Sequence, residues 1–532
     1  MKRIVALMLT FFMFHYSGYN QQPFELVIEP FQINGLNGLQ AYAFGQSQGK
    51  WLVVGGRLDG LHKRQPFASF DTLGNNNKLF VVDPIAEQVW SASISSLPID
   101  IQEQLSATNM EFHQDGPYLY ILGGYGYDHA SSSKKTLDNL MAIDVPAVIN
   151  AVQNNSILVP YFRQIAHSDF AVTGGHLKKI NHTYYLLGGN KFDGDYNPMG
   201  MPTYTQQYTN AVRRFTITDD GVNLTVNHLS GFYDSTNLHR RDYNALAQIR
   251  PDGSEGITMF SGVFQPVLNL PYLNCVEVDS TGIQSNTTFQ QHYNHYHCAS
   301  IPLYAASSQE MHTVFFGGIA QFYDSAGVMV QDNDVPFVKT IARVTRNATG
   351  IMSEHLLPIS MPGYLGSASE FIPVQDIPTY SNEVIKLDSL TNDSTLLGYI
   401  YGGISSPNKN IFAGNGSATS SASQVIYKVF LLKNNLSGIP NPASNSSNEI
   451  GLVAYPVPGK NPLNLQFHLT KSVPVKVIVQ NQFGEMLFTR NYRELKAGLQ
   501  TLLVETDQLK NEPVVLITLI IQHKKYTLKV IR

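Results

Sequence analysis

The stretch YLYILGGYGYD, residues 118–128, is an apolar run that halts at two glycines and resumes in tyrosines and an aspartate. The same phrase recurs as WLVVGGRLDG from Trp51, YYLLGGNKFDGD from Tyr184, HTVFFGGIAQFYD from His312 and GYIYGGISSP from Gly398. The interval between the copies at Gly188 and Gly317 is twice the others. Its middle holds ITMFSGVF, where Ser261-Gly262 stands for the glycine pair. Six copies therefore lie between Gly55 and Gly403, spaced about 69 residues apart on average. A period of this size with strands in every unit points to a propeller.

Each unit reads as four strands. In the first these are GLQAYAFG, KWLVVGG, NKLFVVDP and QVWSASI; in the second, ATNMEFHQ, YLYILGG, LDNLMAIDV and ILVPYFRQI. Glycine suits the end of the second strand if neighbouring units crowd it, since it has no Cβ and tolerates positive φ. The third strand tends to end in an Asp turn, as in FVVDP, MAIDV and VEVDS. The sixth unit supplies only ASEFIP, LLGYIYGG and SQVIYKVFLL, so FELVIEPF, residues 24–31, is expected to complete it and close the ring.

These features resemble the Kelch family of β-propellers: an apolar run before Gly-Gly, a spacer, an apolar strand ending in Asp, and an aromatic such as Trp90 beyond. The spacers are longer than in compact Kelch repeats and several copies lack the terminal Trp. The resemblance implies an all-β chain with a six-bladed Kelch-like β-propeller over residues 23–435.

Composition agrees with export. Of 532 residues only 14% are charged and 11% are aromatic, and the net charge of −4 gives no basic footprint for nucleic acid or anionic membrane. Lys2 and Arg3 precede an apolar run from Ile4 to Phe14, so residues 1–22 read as a secretory signal peptide, leaving no transmembrane segment in the mature chain. Cys275 and Cys298 could then pair, near the junction of the fourth and fifth units.

Residues 436–452, rich in Pro, Ser and Asn, read as a linker. The last segment, 453–532, alternates as short strands, with a hairpin turn expected at Gln482–Glu485. It resembles the type A sorting domain of the Bacteroidetes type IX secretion system. YPVPGKNPLNLQF (455–467), VIVQNQFGEML, LKAGLQTLLV and the basic end KKYTLKVIR carry the likeness. Val457 stands where the family has Asn, and NEPVVLITL replaces a Gly-x-Tyr strand. The resemblance implies a small β-sandwich that hands the protein to the type IX secretion machinery, for release or display at the outer-membrane surface. Asp-Ser/Thr triplets at Asp71, Asp234, Asp279, Asp324, Asp388 and Asp393 resemble the O-glycosylation sequon of the same bacteria.

Strand alternation puts the long segments after Gly-Gly on the same face as the unit-to-unit connections, and loops of this length are usually functional or disordered. They carry Arg57, Arg64, Tyr125, Tyr127 and Asp128, then Phe192, Asp193, Tyr196 and Tyr323. Aromatics with Asp and Arg suit recognition of a glycan or protein. Residues 404–423 read as flexible and uninformative. In LHRRDYN, Arg240 and Arg241 could grip a carboxylate together or merely tie units to one another. His295 and His297 would share a strand face, yet no third ligand presents itself, and Pro198 and Tyr204 spoil an EF-hand reading of DGDYN. No metal site and no cofactor is expected, and no hydrolase, zincin or phosphate-loop motif is present. Two functions follow: a surface or secreted binding protein that spreads contacts over the loop face, or a carbohydrate-active enzyme (lyase, hydrolase or epimerase) at the channel mouth.

Overall fold

The computed structural model describes residues 23–198, 203–325, 327–433, 450–455, 463–481, 486–504, 514–522 and 524–531. The expected signal peptide, residues 1–22, the linker residues 436–449 and the turn at Gln482–Glu485 lie outside them. The chain is all-β and divides into two compact units. One is Ile28–Thr391 with Leu396–Phe430; the other comprises the described residues of Met1–Val27, Asn392–Thr395 and Leu431–Arg532.

Among the described residues up to Lys433, six largely antiparallel sheets follow one another; the fifth also takes Ile385–Lys386, which pairs parallel to Ser300–Ala305. The first orders Ala43–Ser47, Lys50–Val54, Lys78–Asp83 and Gln88–Ser93 as a simple meander. The second runs Glu111–Asp115, Tyr118–Leu122, Asn139–Asp144 and Phe162–Ala166, and the third His176–Ile180, Thr183–Leu187, Ala211–Asp219 and Leu224–Tyr233. The fourth and fifth repeat this order from Asn244–Ile249 and Ser300–Ala305. In the sixth, Tyr364–Pro373, Ser394–Ser406 and Ile426–Lys433 are joined by Phe24–Phe31 as the outermost strand, the pairing expected from the short sixth unit.

The second strands are mostly apolar toward the glycine pairs because both of their faces are buried there. In the first sheet Leu52 and Val54 pack with Leu119 and Ile121 of the second, whereas Trp51 and Val53 pack with Ile372, Tyr399 and Tyr401 of the sixth. Similar cores join the second sheet to the third, the third to the fourth and the fourth to the fifth. Cys275 and Cys298 lie in the last of these; neither forms a disulfide, and burial pushes both thiols up to about 12.

The glycine pairs are the joints between sheets. All five pairs have positive φ. A Cβ on Gly402 would lie 2.1 Å from the Leu39 carbonyl oxygen, and one on Gly123 would lie 2.0 Å from that of Val172. The second glycine of each pair donates its N–H to the segment entering the next sheet: Gly56 to Ala107, Gly124 to Val172, Gly189 to Arg240, and Gly318 to Leu365. Gly403 donates to Leu39, returning from the sixth sheet to the first at 2.8 Å. In the fourth copy the Arg240 side chain instead reaches the Ser261 carbonyl oxygen at 2.6 Å. The Asp residues ending third strands cap the turns that follow, as when Asp83 Oδ1 accepts from Ile85 and Ala86 N–H.

Two helices depart from the strand reading. Val145–Gln153 forms one because Asp144 caps it, accepting from Ala147 N–H, and the Pro146 ring suits its first turn. The expected strand ILVPYFRQI begins only at Phe162, because Val159–Tyr161 forms a 3-10 turn. Ile99–Leu105 is the other helix.

The second unit holds two antiparallel sheets about one core. One contains Val453–Tyr455, Leu463–Leu469 and Gly498–Val504; the other contains Met486–Leu495, Val473–Asn481, Val514–Ile521 and Lys524–Ile531. Alternating residues Leu463, Leu465 and Phe467 of one meet Val475, Val477 and Ile517 of the other.

Candidate functional site

The segments that enter the six sheets meet at one end of the larger unit. Five of the six pass a backbone N–H to their predecessor: Asn109 to the Ala41 carbonyl oxygen, Gly174 to Asn109, Asp242 to Gly174, Ala368 to His297, and Ala41 back to Ala368. Between the fourth and fifth, the Cys298 N–H donates instead to the Asn244 side-chain oxygen at 2.9 Å. Above them is a cavity of about 400 Å³. Every sheet contributes an entering residue to it: Gln40, Asn109, Thr173, Arg241, His297 and Ser367. The segments following the glycine pairs build the wall, so the two sets of loops share one face, as strand alternation requires.

That wall is largely aromatic. His62 stacks on Phe70 at 4.9 Å, Phe70 meets the Tyr125 edge at 5.2 Å, and Tyr125 meets Phe192 at 5.4 Å. Tyr196 approaches His62 at 4.5 Å, and Phe412 closes on the same imidazole at 5.5 Å. Burial holds the His62 imidazole down at about 4, so at neutral pH it is an uncharged ring in this wall. The long loops achieve this order by forming hairpins: Tyr125–Asp128 with Ser133–Thr136, and Asn190–Gly194 with Tyr204–Tyr208.

Three polar groups punctuate the wall. Arg241 pairs with Asp242, donates from its Nε to the Tyr208 hydroxyl oxygen at 3.3 Å and lies over the Phe264 ring. Burial works against its charge, but Asp242 and the neighbouring tyrosines hold the guanidinium above its ordinary pKa. His297 Nε2 is 2.8 Å from Glu370 Oε1; burial opposes protonation, yet the Glu370 carboxylate wins and raises the imidazole above its usual value. Lys409 Nζ donates to the Tyr323 hydroxyl at 2.7 Å.

Of the residues marked in the sequence, Tyr125, Phe192, Tyr196 and Arg241 line the cavity. The others do not, for identifiable reasons. Arg57 is buried and spent on Asp59, Asn75 and the Asp71 carbonyl. Arg240 is fully buried, stacks on Tyr272 at 4.0 Å and donates to Asn237, Ser261 and Asn274. The two arginines therefore cannot grip one ligand. Asp128 accepts from Ser131 N–H and pairs with Lys135; Asp193 accepts from Thr136 N–H. Arg64 lies over Phe412 with its Nη1 toward the Phe412 and Ala413 carbonyls, and Tyr127 packs on His129. Tyr323 reaches the cavity only through Lys409.

Sequence reasoning missed three contributions. The first is the carboxylate partner of His297, a residue considered only as a metal ligand beside His295: Glu370 is 73 residues away, so spacing could not pair them. The second is Gln40, whose amide reaches the Gly60 carbonyl oxygen at 2.9 Å. The third is the loop after Gly403, read as uninformative, which gives Lys409, Asn410 and Phe412 to the cavity. Phe412, the one aromatic in that loop, was the available signal.

No family model matches the chain, and no curated protein matches it. Among solved structures that resemble it, one titled "Structure of YjhT" is 10% identical with a TM-score of 0.39, over 70% of this chain and 94% of that one.

Proposed function

We propose that the chain is an exported, six-bladed Kelch-like β-propeller over residues 23–435 that binds the end of a glycan in its central cavity. The backbone hydrogen bonds between neighbouring sheets, which include the return from Gly403 to Leu39 and from Ala41 to Ala368, support the six-bladed reading. The observation that carries the function is the cavity itself: aromatic rings interrupted by Arg241, Asp242 and His297 line it together, within a volume that suits a mono- or disaccharide rather than a protein surface. Sugar rings stack on aromatic faces through their C–H edges while fixed donors and acceptors select hydroxyls or a carboxylate. The aromatics and polar groups converge instead of spreading over the loop face, which narrows the expected glycan-or-protein ligand to a small glycan.

Residues 1–22 act as signal peptide and 453–532 as the type IX sorting domain in this reading. Among the described residues no helix is long and apolar enough to cross a membrane. Deletion of 453–532 should then trap the larger unit in the periplasm.

A glycan-array screen of the purified chain, with turnover followed on every hit, tests the binding function. Retention of a small glycan without product, weakened by Tyr196→Ala and Arg241→Ala, is the expected result. Retention unaffected by either variant sinks it. One observation favours a second reading, a carbohydrate-active enzyme: the His297–Glu370 pair is a carboxylate-oriented imidazole in reach of a bound sugar, the arrangement general acid-base chemistry uses. Product formation that disappears in His297→Gln would establish it in place of the first.

A further inference from the structure

Away from the cavity, the turn entering the third sheet and that sheet's outer strand bring together His167, Asp169 and His228. One ligand atom from each lies within 4.8 Å of the other two. His228 Nδ1 stands 3.4 Å from Asp169 Oδ2, and His167 Nδ1 stands 3.6 Å from the same oxygen. Two ligands about 2.1 Å from a tetrahedral Zn²⁺ are separated by about 3.4 Å. Both edges therefore fit a single ion.

We propose that His167, Asp169 and His228 form a Zn²⁺ site that ties the connection leaving the second sheet to the outer strand of the third. Two imidazoles and one carboxylate are a donor set that zinc takes, and their partial exposure leaves the fourth position to water. Their surroundings already orient them. The His228 ring stacks on Phe170 with an interplanar angle of 26°, and the two imidazoles lie with centroids 4.1 Å apart at a tilt of 34°. Arg213 supports the carboxylate from behind: its Nε is 3.9 Å from Asp169 Oδ1 and its Nη1 donates to the Asp169 carbonyl oxygen at 2.6 Å, leaving Oδ2 toward the imidazoles. An ordinary ion pair needs one histidine beside Asp169; here a second imidazole, 4.1 Å from the first, brings a further nitrogen to the same carboxylate oxygen. His167 Nδ1 also accepts the Asp169 N–H at 3.2 Å, and metal binding exchanges that bond for coordination.

Calorimetric titration of Zn²⁺ into the full, tag-free chain tests the site. One equivalent should bind and raise the thermal midpoint, with the rise reversed by a chelator. His228→Ala and Asp169→Asn should each weaken the affinity at least tenfold, while His355→Ala, whose imidazole pairs with Ser353 elsewhere, should leave it unchanged. Asp169→Asn keeps the backbone N–H that His167 caps, so it separates lost coordination from lost folding. Absence of zinc binding, or binding that survives both site variants, overturns the proposal.

Discussion

Arg240 and Arg241 are neighbours in sequence and belong to different layers of the molecule. Arg241 faces the cavity with about a quarter of its side chain exposed, held by Asp242 and Tyr208. Arg240 lies one layer behind, with three carbonyl oxygens and an Asn side chain consuming its donors. Arg57 and Asp128 belong to that hidden layer as well, whereas Tyr196 and His62 belong to the wall. What separates the layers is satisfaction: in the hidden one every hydrogen-bonding group is met by the protein, so such a residue holds the loops rather than a ligand.

The largest effect should come from the hidden layer. Arg240→Ala strands the carbonyls of Asn237, Ser261 and Asn274, at about 1–3 kcal/mol for each buried group. We expect at least about 3 kcal/mol of lost stability in chemical denaturation, with no larger effect on the ligand than on the fold. A loss below about 1 kcal/mol would erase the distinction between the layers.

A joint between sheets comes next. Gly402→Ala must move either the Leu39 carbonyl or its own backbone, at φ +71°, and should cost about 2–3 kcal/mol. Gly116→Ala, at φ +58° in open space, should cost only about 1–2 kcal/mol. Equal thermal shifts in the two variants would show that positive φ, rather than the close approach, is what demands glycine at the joints.

In the wall the effect should be on ligand. Arg241→Ala is expected to weaken glycan retention about tenfold, or about 1.4 kcal/mol, while its denaturation midpoint stays near that of the parent.

The smallest effect is a pH dependence. Glu370 raises the His297 pKa in the folded chain, so the pair's contribution to stability is fully present below the unfolded value of about 6.5. It is lost as pH rises through the higher folded value. Denaturation at pH 6 and pH 8.5 should show a steeper decline in the parent than in Glu370→Gln. Parallel declines would mean that the carboxylate does not support the imidazole's charge.

Much of the fold was legible because it rests on local signals. The apolar runs before Gly-Gly and the Asp turns report constraints that act within a few residues, and the repeat count, one strand short in its last unit, pointed to Phe24–Phe31 for the missing partner. The helix Val145–Gln153 escaped because the apolar residues of VPAVINAV also satisfy a short strand, and only the Asp144 cap and Pro146 decide between the two.

The site was legible by chemical type and not by position. Sequence by itself determined that aromatics and arginines crowd the loops after the glycine pairs, because composition and strand alternation fix which loops share a face. Only the tertiary structure decided that Arg241 reaches the cavity while Arg240 does not, that His297 meets Glu370, and that His167 meets His228 from 61 positions away. Those outcomes depend on how neighbouring sheets crowd one another and on which buried carbonyls are left for a side chain to satisfy. Both are set by contacts between residues tens to hundreds of positions apart, and no local pattern records them.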